Sequence, residues 1–464
     1  YVYGTLPIFV TRAVGRWTDV VLCGQTPGDA GACLPGTYTG YAGIHYVGRG
    51  LSALADVAAL LGLMLLARSL FGNRLSLLAG GLYAFAVLPI QHAHFFVVDS
   101  FATVFVVWTL LLCVLAAGKR KPGGLILLAG LMTGLAVASK ISVWPLSLIV
   151  GLTGVMRFDS GEGPHFRLSL RRVLVLIGSG IAAALAFRIA QPYAFMGPGF
   201  LGVSPNLQWI ATIKDIRRLM SGLQDVPYGH QWTARAPILF PLRNMVFWGM
   251  GLPLGVTAWI GWAWLGWRLI RTWTDSVRRT IPHRILIPWL WSTGFFLYQS
   301  TQWVKSMRYL LPVYPFFALF AAVLLIELAR RARVGARATA AKARWRTYGR
   351  YVLRALPALI FLATALWAWA FLHIYLKPVT RVAASRWMYD NIPTSVTLEL
   401  MTADPLQIPI RPDTELSVVT SGVGGGVEVA DTVWVEAARI NKIDPKSVPG
   451  PREIEVTVNG QPAV

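Results

Sequence analysis

Five charged residues sit where an otherwise greasy chain enters or leaves its apolar runs, and their chemistry comes first. Asp99 opens the run in HFFVVDSFATVFVVW, His94 to Trp108. An aspartate there can cap the helix and meet its positive dipole end, or face a ligand. Lys140 lies in AVASKISVWP and Arg188 in AFRIAQPYAF, each at the outer end of an apolar run. Lysine and arginine at that depth are costly, so they either snorkel to the headgroups or hold an anion. Lys305 and Arg308 stand in TQWVKSMRYLLPVYP. Three residues apart on a helix they would share a face and could hold a phosphate, arginine by its planar fork and lysine as a point charge. Asp56, inside the first run, either pairs with a cation such as Lys140 or hydrogen-bonds within the bundle; the structural role is the favoured one.

Several chemistries are excluded by pattern. The sequence has no phosphate-binding glycine loop of the Walker type, no GxGxxG after a strand and no cysteine or histidine cluster with metal spacing. His92 and His94 are two apart, which puts them on different helix faces, so no metal site is expected. No cofactor is legible, and a divalent cation is neither called for nor excluded.

These residues need elements to position them. The chain of 464 residues is 55% hydrophobic and only 14% charged. A soluble protein of that length carries more charge. Uncharged runs of about 15 to 25 residues recur without two-residue alternation, which argues for an all-α polytopic membrane protein rather than a barrel. About ten spans are expected, near 51–68, 76–91, 98–117, 123–141, 143–157, 173–190, 244–270, 286–300, 309–329 and 354–376. The pair around Lys140 could equally be one broken re-entrant unit. A net charge of +22 raises the question of nucleic acid. The basic residues instead fall in alternate short loops, such as Lys119 to Lys121 and the stretch RRARVGARATAAKARWRTYGRYVLR, so they orient the protein with those loops in the cytoplasm.

The opposite, extracytoplasmic side then holds residues 1–48, the long loop 191–243 and everything after Lys377. Residues 5–19, TLPIFVTRAVGRWTD, and NLQWIATIKDIRRLMSGL read as amphipathic interfacial helices. The expected division is 1–48 as part of an outer loop, 49–376 as the transmembrane bundle, and 377–464 as a small α+β region with strands at SVTLEL, DTVWVEAA and REIEVTVNG. Cys23 and Cys33 flank an outer loop and are candidates for a disulfide; Cys113 is a packing residue.

Cations and a carboxylate at one mouth, roofed by amphipathic helices, suit a substrate with an acidic head and a greasy tail, such as a lipid-linked phosphate. Here the motifs resemble a known family. LPIQHAHFFVVDSFATVFVVW, GLMTGLAVASKISVWPL and KSMRYLLPVYPFFALFAA, in that order, are similar to segments of family 39 glycosyltransferases. That GT-C branch includes protein O-mannosyltransferases and the lipid A aminoarabinose transferase. SRWMYDNIP resembles the start of the soluble tail of bacterial members. The resemblance covers roughly residues 1–395. It implies a GT-C-like bundle of about eleven spans counting one before Tyr1, a polyprenyl-phosphate sugar donor and an inverting transfer on the outer face. It places the general base, a carboxylate, in the first outer loop upstream of YVYGTLPIFVTRAVG. Asp99 then supports that base, and Lys140, Lys305 and Arg308 meet the donor phosphate; Arg188 joins them by position alone. The expected partners are the lipid donor and membrane lipids. Rival readings are a lipid or lipid-sugar flippase, and a non-catalytic membrane subunit of a larger complex. A flippase is expected to show paired halves, which are not evident here.

Overall fold

The structure is a computed structural model. It describes residues 4–23, 36–41, 43–157, 165–166, 169–196, 202–224, 226–274, 282–334, 344–377 and 380–391, together with strands between 396 and 462. The chain divides into two compact units, Tyr1–Phe371 and Leu372–Val464.

The first unit is helical. In chain order it has α1 (Thr5–Leu22), α2 (Ile44–Phe71), α3 (Asn73–Ala84), α4 (Val87–Ala93), α5 (Val98–Ala117), α6 (Gly123–Ser139) and α7 (Leu146–Val155). There follow α8 (Leu170–Ala190), α9 (Leu207–Ser221), α10 (Leu239–Asn244), α11 (Leu252–Thr274), α12 (Leu286–Ser300), α13 (Tyr314–Val334) and α14 (Arg344–Leu372). Five helical stretches, beginning at Ile44, Val98, Leu170, Met307 and Tyr348, are long and apolar enough to cross a membrane. The bent pair α3–α4, kinked by 62°, makes a sixth candidate, and the apolar stretches Gly123–Ser139 and Ile141–Val155 are shorter than a span. The expected spans fall mostly on helices, but 76–91 is broken between α3 and α4, 143–157 ends in the strand Met156–Arg157 and 244–270 is interrupted before Leu252, and among the described residues fewer than ten pass on length and composition.

The centre of the unit is α5 and α13. Apart from Asp99 at the head of α5 and the charged end of α13 from Glu327 onward, both are apolar or carry only hydroxyls, as a helix enclosed by others must be. Val106, Val107, Leu110 and Cys113 of α5 and Phe316, Phe317, Leu319 and Phe320 of α13 are fully buried. In lipid no hydrophobic force brings helices together, so close backbone approach has to supply the attraction. The sequence provides it with small residues. A Cβ on Gly130 would lie 2.2 Å from Ser179 O of α8, and one on Gly134 would lie 2.2 Å from Ala183 O. The Ser179 hydroxyl donates to Ile126 O at 2.9 Å, tying the same two helices. Between α11 and α13, Gly261 plays this part against Phe320 O at 2.4 Å.

Three breaks set the chain up for the site. Helix α3 ends at Phe85, and α4 restarts with Pro89 in its first turn, where proline's missing N–H costs nothing. Helix α6 stops at Lys140, whose backbone is extended (φ −154°, ψ 112°), and a single 3-10 turn leads through Pro145 into α7. A 3-10 helix from Met307 to Val313 contains Pro312 and runs into α13. Helix α1 confirms the expected helix over 5–19, with Trp17, Val20 and Leu22 exposed. Helix α9 confirms the second, and none of its residues is buried. Cys23 is disulfide-bonded; Cys33 lies outside the described residues, as do Arg167, Arg278, Arg279 and residues 335–343 of the basic loops.

The second unit contains α15 (Thr380–Asn391). Val396–Leu400 pairs antiparallel with Leu406–Ile410. A further sheet runs in the order Val427–Trp434, Glu415–Ser421, Glu453–Val458, Gln461–Pro462, all antiparallel, with a register shift at Val418/Val419.

The close approach of α6 and α8 can be tested directly. Gly134→Ala forces a methyl into a backbone carbonyl, and overpacking of this kind costs about 1–3 kcal/mol. Gly151 of α7 has nothing within 4 Å of a built Cβ, so Gly151→Ala is expected to leave stability unchanged or slightly raised. Thermal unfolding of the two variants in detergent should separate them by several degrees; equal midpoints would mean α6 and α8 do not pack this tightly.

Candidate functional site

Asp99 lies in the first turn of α5 and is buried at 3% exposure. It is not the N-cap. That position belongs to Val97, whose extended backbone donates its N–H to Ser52 Oγ at 3.3 Å. Freed from capping, the carboxylate forms a salt bridge with Lys140 Nζ, and Lys140 is itself 4% exposed. The break at the end of α6 is what allows this, because it drops the lysine beside the head of α5. The pairing also settles Asp56. Its partner is not Lys140 but Tyr83, whose hydroxyl donates to it at 2.6 Å between α2 and α3.

Lys140 of the ion pair lines one of two cavities in this region. Lys140 Nζ lies 4.4 Å from the centre of the Tyr309 ring, and Arg308 Cζ lies 5.3 Å from the same ring. Such stacking favours a cation on the ring's negative face. On one side a cavity of about 460 Å³ is lined by His92, Gln91, Arg235, Asn244, Lys305 and Arg308, among others. On the other, a cavity of about 400 Å³ is lined by Lys140, Trp144, Ile213, Ile216, Arg217, Met220, Gln299, Gln302 and Tyr309. The first is rich in cations and amides. The second has an apolar wall contributed largely by α9.

Lys305 and Arg308 do share a cavity, but not a helix face. Lys305 precedes the 3-10 helix in an extended loop; only Arg308 lies on it. Lys305 is buried, and its ammonium donates to Trp303 O at 3.1 Å. Burial pulls its pKa below the ordinary lysine value. The loop is pinned in turn by α9. Trp303 N donates to Met220 O at 3.0 Å, and Gly222, with φ +77°, ends α9 under the Trp303 ring. A Cβ there would come within 2.7 Å of the indole, and the left-handed backbone suits glycine best.

Arg188 is placed differently. Its Nε donates to Gly202 O at 2.7 Å, and its guanidinium lies 4.9 Å from the Phe195 ring, so it braces the loop following α8. The roof over the ion pair comes from the start of α1. Gly4, at φ +59°, lies so close to Val98 and Ser139 O that a Cβ would overlap the valine. The buried Thr5 hydroxyl donates to Ala190 O at 2.8 Å. Asp19 of α1 accepts from Tyr38 N at 2.7 Å and from the Thr39 hydroxyl at 2.8 Å, a purely local brace. Among the described residues no group of three or more histidine, cysteine or acidic side chains could hold a metal.

His92, Arg235, Arg217 and Tyr309 belong to this site and were not singled out as site residues in the sequence. In the sequence His92 is marked only by its two-residue spacing from His94. Arg235 and Arg217 belong to the long outer loop, where nothing in their spacing distinguishes them from other basic residues.

Comparison with known proteins bears on this region. Residues 45–161 match the family described as dolichyl-phosphate-mannose-protein mannosyltransferase. The matched stretch carries Asp99 and Lys140, and it supports the glycosyltransferase resemblance drawn from the motifs. No curated protein matches the sequence. Among solved structures, the archaeal oligosaccharyltransferase from Archaeoglobus fulgidus, in complex with an inhibitory peptide and a dolichol-phosphate, is similar at 18% identity with a TM-score of 0.48. That likeness covers 85% of this chain and 50% of the archaeal one, so the chain spans about half the length of that protein. ArnT from Cupriavidus metallidurans bound to undecaprenyl phosphate is similar at 14% identity with a TM-score of 0.40, covering 79% of this chain and 70% of ArnT.

The buried pair generates two expectations. Removing one partner strands a buried charge, which costs roughly 3–5 kcal/mol. Asp99→Asn and Lys140→Met should therefore each destabilise the protein strongly, whereas a capping aspartate would tolerate asparagine. The double variant should recover most of the loss. A double variant no more stable than the sum of the singles predicts would mean the two residues do not pair.

The lowered pKa of Lys305 gives the second. A lysine with a depressed pKa gives up its proton at lower pH than a free one, so any anion it holds should begin to weaken at a lower pH than a free lysine would require. Lys305→Arg, always charged, should keep anion binding flat where the wild type weakens. Titration of polyprenyl-phosphate binding against pH checks it, and parallel curves for the two proteins would remove Lys305 from the site.

Proposed function

We propose that this chain is a membrane glycosyltransferase that takes a sugar from a polyprenyl-phosphate-linked donor and transfers it, with inversion, to an acceptor on the extracytoplasmic face. The observation that carries the reading is the 460 Å³ cavity that Lys305, Arg308 and Arg235 line together, with the buried Asp99–Lys140 pair close by, since Lys140 and Arg308 both lie against the Tyr309 ring. The family match over residues 45–161 supports it.

In this reading Lys305 and Arg308 hold the donor phosphate, and the amphipathic cavity under α9 takes part of the polyprenyl tail. Lys140 adds positive charge through the Tyr309 ring. Asp99 works through Lys140, fixing the ammonium in place rather than touching the sugar. Arg188 supports the loop over the bundle. The protein is multi-pass in the cell's inner, or plasma, membrane, with its basic loops cytoplasmic and residues 377–464 outside as a small α+β region.

The test uses the full-length protein in nanodiscs with labelled polyprenyl-phosphate sugars. Transfer or release of the sugar supports the enzyme; movement of intact lipid across the bilayer would make it a flippase. Changing both Lys305 and Arg308 to alanine removes two charge-assisted contacts worth roughly 1.5–3 kcal/mol each. Donor affinity should fall at least about tenfold. A folded double variant with unchanged donor binding would leave the two residues as headgroup anchors.

A further inference from the structure

Helix α13 carries charge far from the cavities described above. It begins at Tyr314, directly after the 3-10 helix that holds Arg308. At a rise of 1.5 Å per residue, Arg331 lies about 25 Å further along its axis, at the opposite end of the bundle. Arginines at this end are used in two ways. Some satisfy the chain itself. Arg172 Nη1 donates to Val155 O at 3.1 Å, Arg284 Nη1 to Val114 O at 3.4 Å and Arg354 Nη2 to Ala332 O at 3.4 Å. These carbonyls lie in the last turns of α7, α5 and α13, where a helix has no partner for them.

Arg331 and Arg271 are held differently. The Arg331 guanidinium lies 5.9 Å from the Trp264 ring of α11, and the Arg271 guanidinium lies 4.5 Å from the Trp267 ring. Trp264, Trp267 and Arg271 follow one face of α11, each a turn beyond the last. Two guanidiniums therefore stand over indoles one turn apart, where the ring faces favour a cation. Glu327 accepts from Arg331 Nε at 2.8 Å and from Arg330 Nε at 2.8 Å. Arg333 adds a further exposed cation, so Arg271, Arg330, Arg331 and Arg333 against Glu327 leave a charge of +3. The terminal nitrogens of Arg331 donate to nothing among the described residues. Beside these arginines α11 turns an apolar stripe outward: Val256, Ile260, Trp267 and Ile270 are exposed at helical spacing.

We infer that the ends of α11 and α13 form a binding site for an anionic glycerophospholipid, in the leaflet opposite the cation-lined cavity. Its phosphodiester is held by Arg331 and Arg271, and an acyl chain lies along Trp267, Ile260 and Val256. The chemistry of each part matches. A guanidinium fork fits the two non-bridging oxygens of a phosphodiester. The apolar stripe gives the chain a surface that lipid would cover in any case. A zwitterionic headgroup brings its own ammonium beside the arginines and neutralises less of their charge, so the anionic lipid is preferred. The bound lipid relieves the repulsion among arginines gathered from two helices and so stabilises the α11–α13 pair. None of this depends on the glycosyltransferase reading.

The experiment titrates the full-length protein, in a neutral detergent, with dioleoyl phosphatidylglycerol or dioleoyl phosphatidylcholine and counts bound lipids by native mass spectrometry. Wild type should bind its first phosphatidylglycerol at least about tenfold more tightly than phosphatidylcholine. The double variant Arg271→Gln, Arg331→Gln should lose that preference. A second double variant, Arg120→Gln, Lys121→Gln, removes the same charge from an exposed loop at the same end of the bundle and should keep it. Arg331→Lys keeps the charge without the fork, should weaken phosphatidylglycerol binding several-fold, and serves if the first double variant does not fold. A wild-type protein with no preference between the two lipids overturns the inference. So does a folded Arg271, Arg331 variant that retains the preference. Equal losses in the two double variants overturn it as well, because the attraction would then be diffuse charge and not a site.

Discussion

The buried pair of Asp99 and Lys140 is the constraint around which the first unit is arranged. Two charges held at 3% and 4% exposure are tolerable only when each neutralises the other. To meet, the head of α5 and the end of α6 must come together, and the chain has to leave helical geometry at Lys140. The start of α1 then closes over them, with Gly4 against Val98 and Ser139. The cost of parting these charges fixes the positions of three helices more firmly than apolar packing could, because apolar contacts in lipid have little to gain over the lipid itself.

From that fixed point the cavities follow. Lys140 reaches Tyr309 on the far side, and Tyr309 is contacted by Arg308 from the other cavity. One aromatic ring thus carries a cation from each of the two cavities. Helix α9 lines the second and, through Trp303, holds the loop that brings Lys305 into the first. A displacement of α9 would be felt in both. The site is thus assembled from breaks and caps, at Pro89, Lys140, Pro312 and Gly222, more than from regular helix.

Placing function at such breaks has a physical logic. A regular helix in lipid satisfies its own backbone and presents side chains to its neighbours at fixed spacing. An interruption exposes polar backbone and turns a side chain across the bundle, which is tolerated only inside protein or against a cavity. His92, Lys140, Lys305 and Arg308 all stand within a few residues of such interruptions. The consequence is a site whose charges converge from α4, α5, the end of α6 and the loop before α13, although these segments are far apart in the chain.

Much of this was legible in the sequence. Low charge and long apolar runs determined a helical membrane chain, because a lipid-embedded backbone has no other partner than itself. The motifs around Asp99, Lys140 and Lys305 to Arg308 marked one rim of the bundle, because a charge at membrane depth is rare enough to stand out against Val, Leu and Phe. The amphipathic helices at 5–19 and 207–221 showed in their mixed faces. Tertiary structure alone decided which charge meets which. Asp99 could cap, bind or pair, and its neighbour 41 positions away cannot be chosen by local spacing. For Asp56 the sequence leaves open a cation or a hydrogen bond within the bundle, and the fold supplies the hydrogen bond, from Tyr83, because α3 folds back on α2. Lys305 and Arg308 have helical spacing but not a helical face, since the chain between them is extended until Met307. His92 gave no signal beyond its proximity to His94, because lining a cavity has no sequence signature: the cavity exists only when the segments that wall it have packed.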